Sequence, residues 1–336
     1  MQDAMTDSVN MAKNSAVANF IRTYSNIHIQ GDKPNIFLFS TPRSGSTWLK
    51  ELLYTQPGMK YFNEPFNIRT EHIRKYLKVE DWADLYEPET LPRIQSYLNA
   101  IVTGKKEVGF RNAFPFKDNY RLITKRIVFK VLHACEDRIN FIRDEVGGKM
   151  LVLLRHPIPV SLSREYYPRL EAFLDTAYNR HFTDEQLAFA RNIVQNGSKL
   201  EKGVLSWCLQ NMVPLRDRQD DWVVLTYEQL TLNPAPIIDL LCDVLELDDP
   251  EKVKANLNKP SGSTHKSDKA TQERLKAAKK TGDDDRTWMV EKWRKKVNEE
   301  EEAHLMEILK VFDIDAYEAG SFLPNQKYWI DYQPAK

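Results

Sequence analysis

The chain has 336 residues, 42% of them hydrophobic and 29% charged, and its 48 Lys+Arg are balanced by 48 Asp+Glu. Such a length buries a core without disulfide or metal staples. Zero net charge removes any bulk electrostatic case for nucleic acid or an anionic membrane, so an anion site must be a local arrangement of charge.

The cysteines, Cys135, Cys208 and Cys242, are odd in number and far apart. They form no CxxC pair, and no His or Cys cluster has zinc-ligand spacing, so a reducing compartment and no metal are expected. Residues 1–30 are polar and mixed, unlike a signal peptide, and read as an extension to a single domain at 31–336. No apolar run approaches the roughly 20 residues that span a bilayer. The expected location is the cytoplasm, with no membrane span and no nucleic-acid partner.

In chain order, residues 36–39 are the first buried-strand pattern, followed by a helical pattern at 47–56 with Trp48, Leu49, Leu52 and Leu53 on one face. Residues 67–125 are mixed and punctuated by Pro88, Pro92 and Pro115. Strand patterns return at 127–131, 150–154 and 223–226, with an amphipathic helical stretch at 169–212 between the last two. A second apolar helix runs over 236–246, carrying Ile237, Ile238, Leu240, Leu241, Val244 and Leu245. Residues 258–285, rich in Lys, Ser, Asp and Gly, predict a long mobile loop of the kind that covers a site. At 291–302, Lys295 and Lys296 each lie four residues before a glutamate, Glu299 and Glu300, which predicts a solvated helix face. Tyr328, Trp329 and Tyr332 read as a tail docked on its own domain. Strands alternating with helices predict an α/β fold whose central parallel sheet is covered on both faces.

The most informative segment is Ser40-Thr41-Pro42-Arg43-Ser44-Gly45-Ser46-Thr47-Trp48. A buried strand ends, a short loop with one glycine follows, and an amphipathic helix begins at once. The helix start offers unpaired N–H groups and the positive end of its dipole. Gly45 lets those groups converge, Ser44, Ser46 and Thr47 add hydroxyls, and Arg43 adds a cation, which together suit a phosphate-like anion. The bland alternative is a helix capped by Ser46 beside a surface arginine. A Walker A loop needs a second glycine and a lysine, and this segment has neither.

Residues 41–48 resemble the 5'-phosphosulfate loop of the sulfotransferases that use 3'-phosphoadenosine 5'-phosphosulfate (PAPS). Cytosolic members carry lysine where this chain has Arg43, whereas Golgi carbohydrate sulfotransferases carry arginine. The resemblance implies that Arg43, Ser44, Gly45, Ser46 and Thr47 grip the 5'-phosphosulfate and that Trp48 stacks on the adenine. Helical spacing fits a core role for Trp48 equally well. A second strand ends in Arg155-His156-Pro157, with Ser163 eight residues after the arginine. That spacing resembles the family's 3'-phosphate motif, so Arg155 and Ser163 are implied to hold the 3'-phosphate. Tyr227-Glu228-Gln229-Leu230 resembles the Tyr-Glu-Asp-Leu segment, whose tyrosine lies beside the adenine. Trp293-Arg294 fits the C-terminal part loosely. The lysine- and glycine-bearing loop that closes over the 3'-phosphate in cytosolic members has no clean match; Lys266, Lys269, Lys279 and Lys280 are its candidates. The resemblance implies a three-layer α/β/α fold, P-loop-kinase-like, with PAPS as co-substrate and a hydroxyl-bearing small molecule or carbohydrate as acceptor.

Sulfuryl transfer needs a base for the acceptor proton and cations for charge on the leaving oxygen, a logic shared with phosphoryl transfer. Arg43 is the expected charge stabiliser. Two bases compete. Glu64, in Phe62-Asn63-Glu64-Pro65, resembles the presumed base of Golgi carbohydrate sulfotransferases. His133, in Lys130-Val131-Leu132-His133, lies one residue off the spacing of the cytosolic Lys-Thr-His base. The Arg-Ser-Gly loop and the Glu-Pro pair point to one branch and favour Glu64, with a sugar or glycan-like acceptor. Its carboxyl would need desolvation, by Phe62, Pro65 and Phe66, to bring its pKa toward neutral. The rival functions are an ATP-dependent small-molecule kinase and a non-catalytic nucleotide-binding protein.

Overall fold

In the computed structural model residues 27–105, 122–257, 259, 273 and 286–333 are described. Among them seven strands form: β1 (Ile27–His28), β2 (Ile36–Ser40), β3 (Met59–Asn63), β4 (Ile123–Thr124), β5 (Arg126–Val131), β6 (Lys149–Leu154) and β7 (Val223–Thr226). β1 and β4 make a small parallel ribbon of their own, and the other five pair in the order β3-β5-β2-β6-β7. Every pairing in this main sheet is parallel.

The four predicted strands are there, extended by no more than one residue at either end. β3 adds a fifth, in register with β5 from Met59↔Arg126 to Asn63↔Lys130. Alternate side chains point to opposite faces of a strand, and this alternation sorts the apolar residues into two cores. Ile36, Leu38, Leu151, Leu153 and Leu225 face one side of the sheet, and Phe37, Phe39, Phe129, Val152 and Leu154 face the other. Phe37 and Phe129 stack with ring centroids 4.4 Å apart, a contact worth about 0.5–1.5 kcal/mol beyond its burial.

Helices cover both cores, as the alternating pattern predicts. α1 (Ser46–Leu53) lays Leu49, Leu52 and Leu53 on the first core. α2 (Pro157–Leu162) starts on a proline, which needs no hydrogen-bond partner at that position. The predicted amphipathic stretch at 169–212 resolves into Leu170–Asp175, a 3-10 turn at Ala177–His181, Asp184–Asn196 and α3 (Lys199–Arg216). Capping boxes at Thr183/Gln186 and Ser198/Glu201 start the last two. α3 runs through the second core, with Val204, Leu205, Trp207, Cys208 and Leu209 fully buried. α4 (Tyr227–Leu232) and α5 (Pro234–Val244) follow β7 directly, and α5 returns Ile237, Ile238 and Leu241 to the first core.

The charged run at 291–302 departs from expectation. It is not one helix: Lys292–Lys295 is a 3-10 turn and Asn298 caps α6 (Glu299–Val311). Lys295 and Lys296 therefore precede the helix that holds Glu299 and Glu300, and the predicted one-turn pairs have no common helix to form on. The tail does dock on its own domain. Gln229 exchanges two hydrogen bonds with the backbone of Ile330, and the Tyr328 hydroxyl donates to Asp315 at 3.1 Å. Nearly all of the predicted loop at 258–285, Lys266, Lys269, Lys279 and Lys280 included, and most of the 1–30 extension lie outside the described residues.

Candidate active site

The five parallel strands all end at one edge of the main sheet, and a candidate group follows each: the 41–48 loop after β2, Glu64 after β3, His133 after β5, Arg155 after β6 and Tyr227 after β7. Ligands of open parallel sheets bind outside this edge.

In the loop, Gly45 is itself the cap of α1, with φ +92 and no side-chain capping bond. Ser46 is thus the first helical residue and not the cap. The amides of the first turn have no partner within the helix. A Cβ on Gly45 would stand 2.5 Å from the Tyr227 ring, so this position demands glycine for both backbone and space. Ser44 turns inward: its hydroxyl bonds Thr41 at 2.9 Å and its amide donates to the Thr41 carbonyl. That seryl group braces the loop instead of facing outward. Arg43 is exposed and left-handed (φ 78).

Arg155 ties the two predicted anion segments together. Its Nη1 donates to the Arg43 carbonyl at 2.9 Å, and its guanidinium lies 4.1 Å from the Tyr227 ring centroid. Its Nε is buried without a hydrogen-bond partner, an orphan donor that an anion would satisfy. Trp48 meets Tyr227 edge-on at 6.5 Å and packs against the first core. Arg43, Gly45, Trp48, Arg155 and Tyr227 therefore form one contiguous surface. Ser163 ends α2, exposed, with its hydroxyl donating to the Val160 carbonyl, and among the described residues no hydrogen bond joins it to Arg155. Glu228 anchors the Arg155 segment: its carboxylate accepts from the His156 amide at 2.9 Å and from the Tyr317 hydroxyl at 2.8 Å.

The two competing bases turn out to be neighbours. Glu64 Oε2 and His133 Nε2 are 3.6 Å apart, and Lys130 Nζ lies 3.5 Å from Glu64 Oε1 and 3.4 Å from the Thr47 hydroxyl. Both sit at strained turns. Glu64 is left-handed (φ 54), as are Ala134 and Cys135 directly after His133 (φ 64 and 67). Such conformations cost energy in residues other than glycine and concentrate at functional sites. The expected rise in the Glu64 pKa is not found. The bond to His133 lowers it and burial opposes that, but the Lys130 charge and the Asn67 amide add to the lowering, and the carboxyl settles at about 2. His133 is pulled below its ordinary value, first by burial and then by the Arg169 and Arg164 charges, against the raising effect of Glu64.

Sequence reading missed Lys130 as a site residue, although it breaks an otherwise apolar strand. It also missed Trp82, whose ring lies 5.2 Å from His133, and the buried brace behind the histidine. In that brace Arg169 pairs with Glu136 and donates to the Tyr86 hydroxyl (2.6 Å), Gln210 (2.7 Å) and the Leu132 carbonyl (3.3 Å). Among the described residues no group of three or more His, Cys, Asp or Glu is placed to hold a metal ion, and no helix is long and apolar enough to cross a membrane.

The sheet order and its flanking helices define an α/β protein with a central parallel sheet. Residues 33–318 match the model of the sulfotransferase domain, and the chain belongs to that family. No curated protein matches it in sequence. Similar solved structures include the sulfotransferase domain of the Synechococcus PCC 7002 olefin synthase, with 16% identity, 85% of this chain and 96% of that chain covered, and a TM-score of 0.41. A sulfotransferase domain from the curacin biosynthetic pathway shows 15% identity, 66% and 76% coverage and a TM-score of 0.35. A mouse sulfotransferase complexed with PAP shows 16% identity, 78% and 75% coverage and a TM-score of 0.34.

Proposed function

We propose that this sulfotransferase moves a sulfuryl group from PAPS to an acceptor hydroxyl, with a sugar or glycan-like acceptor favoured by the Glu64-Pro65 segment. The observation that carries the donor assignment is the joining of two anion-suited segments by one bond, Arg155 Nη1 to the Arg43 carbonyl. The first-turn amides of α1 with Arg43, Ser46 and Thr47 would hold the 5'-phosphosulfate, and Arg155 the 3'-phosphate. Trp48 and Tyr227 would flank the adenine. Bound PAPS supplies the activated sulfuryl group; the chain supplies orientation, a base and positive charge.

His133 is the better base. A carboxyl held at about 2 is almost always ionised at neutral pH but accepts a proton poorly. An imidazole held below its ordinary value is neutral there and ready to accept one. With Nε2 facing Glu64, Nδ1 has no partner among the described residues and is free to take the acceptor proton. Glu64 then orients the ring and stabilises the imidazolium, as the carboxylate does in other carboxylate–histidine pairs. Lys130, touching both Thr47 and Glu64, adds positive charge between the loop and this pair.

The test is thermal unfolding with 3',5'-adenosine bisphosphate (PAP) against 5'-AMP and ATP, each with and without magnesium. Saturation at about 100 times Kd adds roughly 2.7 kcal/mol of stability, a shift of several degrees. Stabilisation by the bisphosphate above 5'-AMP, indifferent to magnesium, is expected. A shift only with ATP and magnesium would move the loop to a kinase reading.

A further inference from the structure

Two arginines five residues apart lie near His133, and their surroundings differ. Arg169 is saturated: it has Glu136, Tyr86, Gln210 and the Leu132 carbonyl. Arg164 has none of these. Its Nη1 is shut away from solvent with no hydrogen-bond partner, and its guanidinium lies over the Tyr167 ring, 4.9 Å from the centroid. Burial and then the Arg169 charge lower its pKa to about 10, against a raising effect of Tyr167, and its own charge depresses His133.

The carboxylates nearest the site are already matched. Glu64 faces Lys130 and His133, and Glu136 faces Arg169. Among the described residues Arg164 has no acid to answer it. A half-buried guanidinium with one buried orphan donor is destabilised unless a ligand relieves it. Stacking on Tyr167 does not explain it, because an uncharged side chain would fill the same space without the penalty.

Arg164 follows Ser163 and belongs to the 164–169 segment, whose Tyr166 ring lies 6.0 Å from the Arg69 guanidinium. Arg69 ends the turn that begins at Glu64, where the Asn67 side-chain amide donates to Glu64 at 2.9 Å. The segments carrying Glu64 and Arg164 thus face each other beside His133.

We propose that Arg164 is a specificity-determining residue that binds an oxyanion on the acceptor, a carboxylate or a phosphate or sulfate ester, while His133 takes the proton from the acceptor's hydroxyl. The proposal rests on the sulfotransfer reading above.

The test uses the full chain saturated with PAPS and matched acceptors: D-glucuronate, glucose 6-phosphate and glucose 6-sulfate against D-glucose, and 4-hydroxybenzoate against its amide. Labelled sulfate transfer should favour an anionic member over its neutral partner by roughly 100-fold in kcat/KM. Which anion leads separates carboxylate from ester recognition. Arg164→Gln should erase that preference, mainly through KM, and leave neutral acceptors within about threefold. Arg164→Lys should restore part of it, since a point charge replaces the planar fork. Equal use of charged and neutral acceptors, or equal loss of both in Arg164→Gln, overturns the proposal. If none of these compounds accepts sulfate, the same set is titrated onto the PAP-saturated protein in thermal unfolding. Stabilisation by the anionic members of the wild type but not of Arg164→Gln upholds it, and no difference between the two proteins overturns it. Unchanged stabilisation of Arg164→Gln by PAP certifies that the variant folds. A wild type that ignores PAP would instead sink the donor assignment, and the acceptor proposal with it.

Discussion

The two halves of the site are built on opposite plans. The surface for the donor comes from contiguous strand–loop–helix units, and among the described residues neither Arg43 nor Arg155 forms an ion pair with a carboxylate. Its charge waits for a ligand. On the other side, Glu64, Lys130, His133, Glu136 and Arg169 come from three separate segments and are already paired with one another. A pocket for a polyanion needs convergent donors left open, whereas a base needs partners that hold its ring and set its proton affinity. Arg164 breaks the second plan, which is why it reads as a contact for something from outside.

The largest effect should come from removing the base. His133→Ala is expected to lower kcat by about a thousandfold while PAP still stabilises the protein as it does the wild type. A variant that keeps near-normal turnover would collapse the distinction between the two halves on the catalytic side. Next comes the brace. Arg169→Met leaves Glu136 buried without its cation, so a urea-unfolding midpoint should reveal a loss of about 3–5 kcal/mol. A loss under 1 kcal/mol would mean that this half is not held by its own pairing. On the donor side, Arg155→Ala should weaken PAP binding by roughly 100-fold and 5'-AMP binding far less. Isothermal titration with both ligands decides it: equal losses would assign Arg155 to the loop's structure and not to a 3'-phosphate.

These two plans also explain what could be read from the sequence. The 41–48 loop was legible because its chemistry is local: strand end, glycine, hydroxyls and cation fall in nine consecutive residues. The same holds for Arg155 after an uninterrupted apolar strand. β3 was harder. Met59-Lys60-Tyr61-Phe62-Asn63 mixes polar and apolar residues at a sheet edge, and Lys60 is nonetheless buried. Once β3 lies beside β5, Asn63 is level with Lys130, and the residues that follow, Glu64 and His133, are drawn together. That proximity is a property of strand order, which no local pattern contains. It turned a choice between two bases into a pair, and it reversed the expected direction of the Glu64 pKa, because the charges that lower it come from another strand.

The smallest effect is the most discriminating. If His133 is the base, kcat/KM rises with pH as the imidazolium loses its proton and then levels off. The limb lies below the ordinary histidine value of about 6.5, because burial and the Arg169 and Arg164 charges disfavour the charged ring. Glu64 works against them by favouring the imidazolium. Glu64→Gln should therefore move the limb to lower pH while also lowering the plateau, since the ring loses its orienting partner. Arg164→Gln removes a repelling cation and should move the limb to higher pH. Opposite displacements are what a group titrating between Glu64 and Arg164 gives, and His133 feels both charges. If Glu64 were the base, the wild-type limb would follow a carboxyl held at about 2, and Glu64→Gln would have no acid limb left to move. A kcat/KM profile of the three proteins, taken with one acceptor from the lowest pH at which each stays folded, separates these cases.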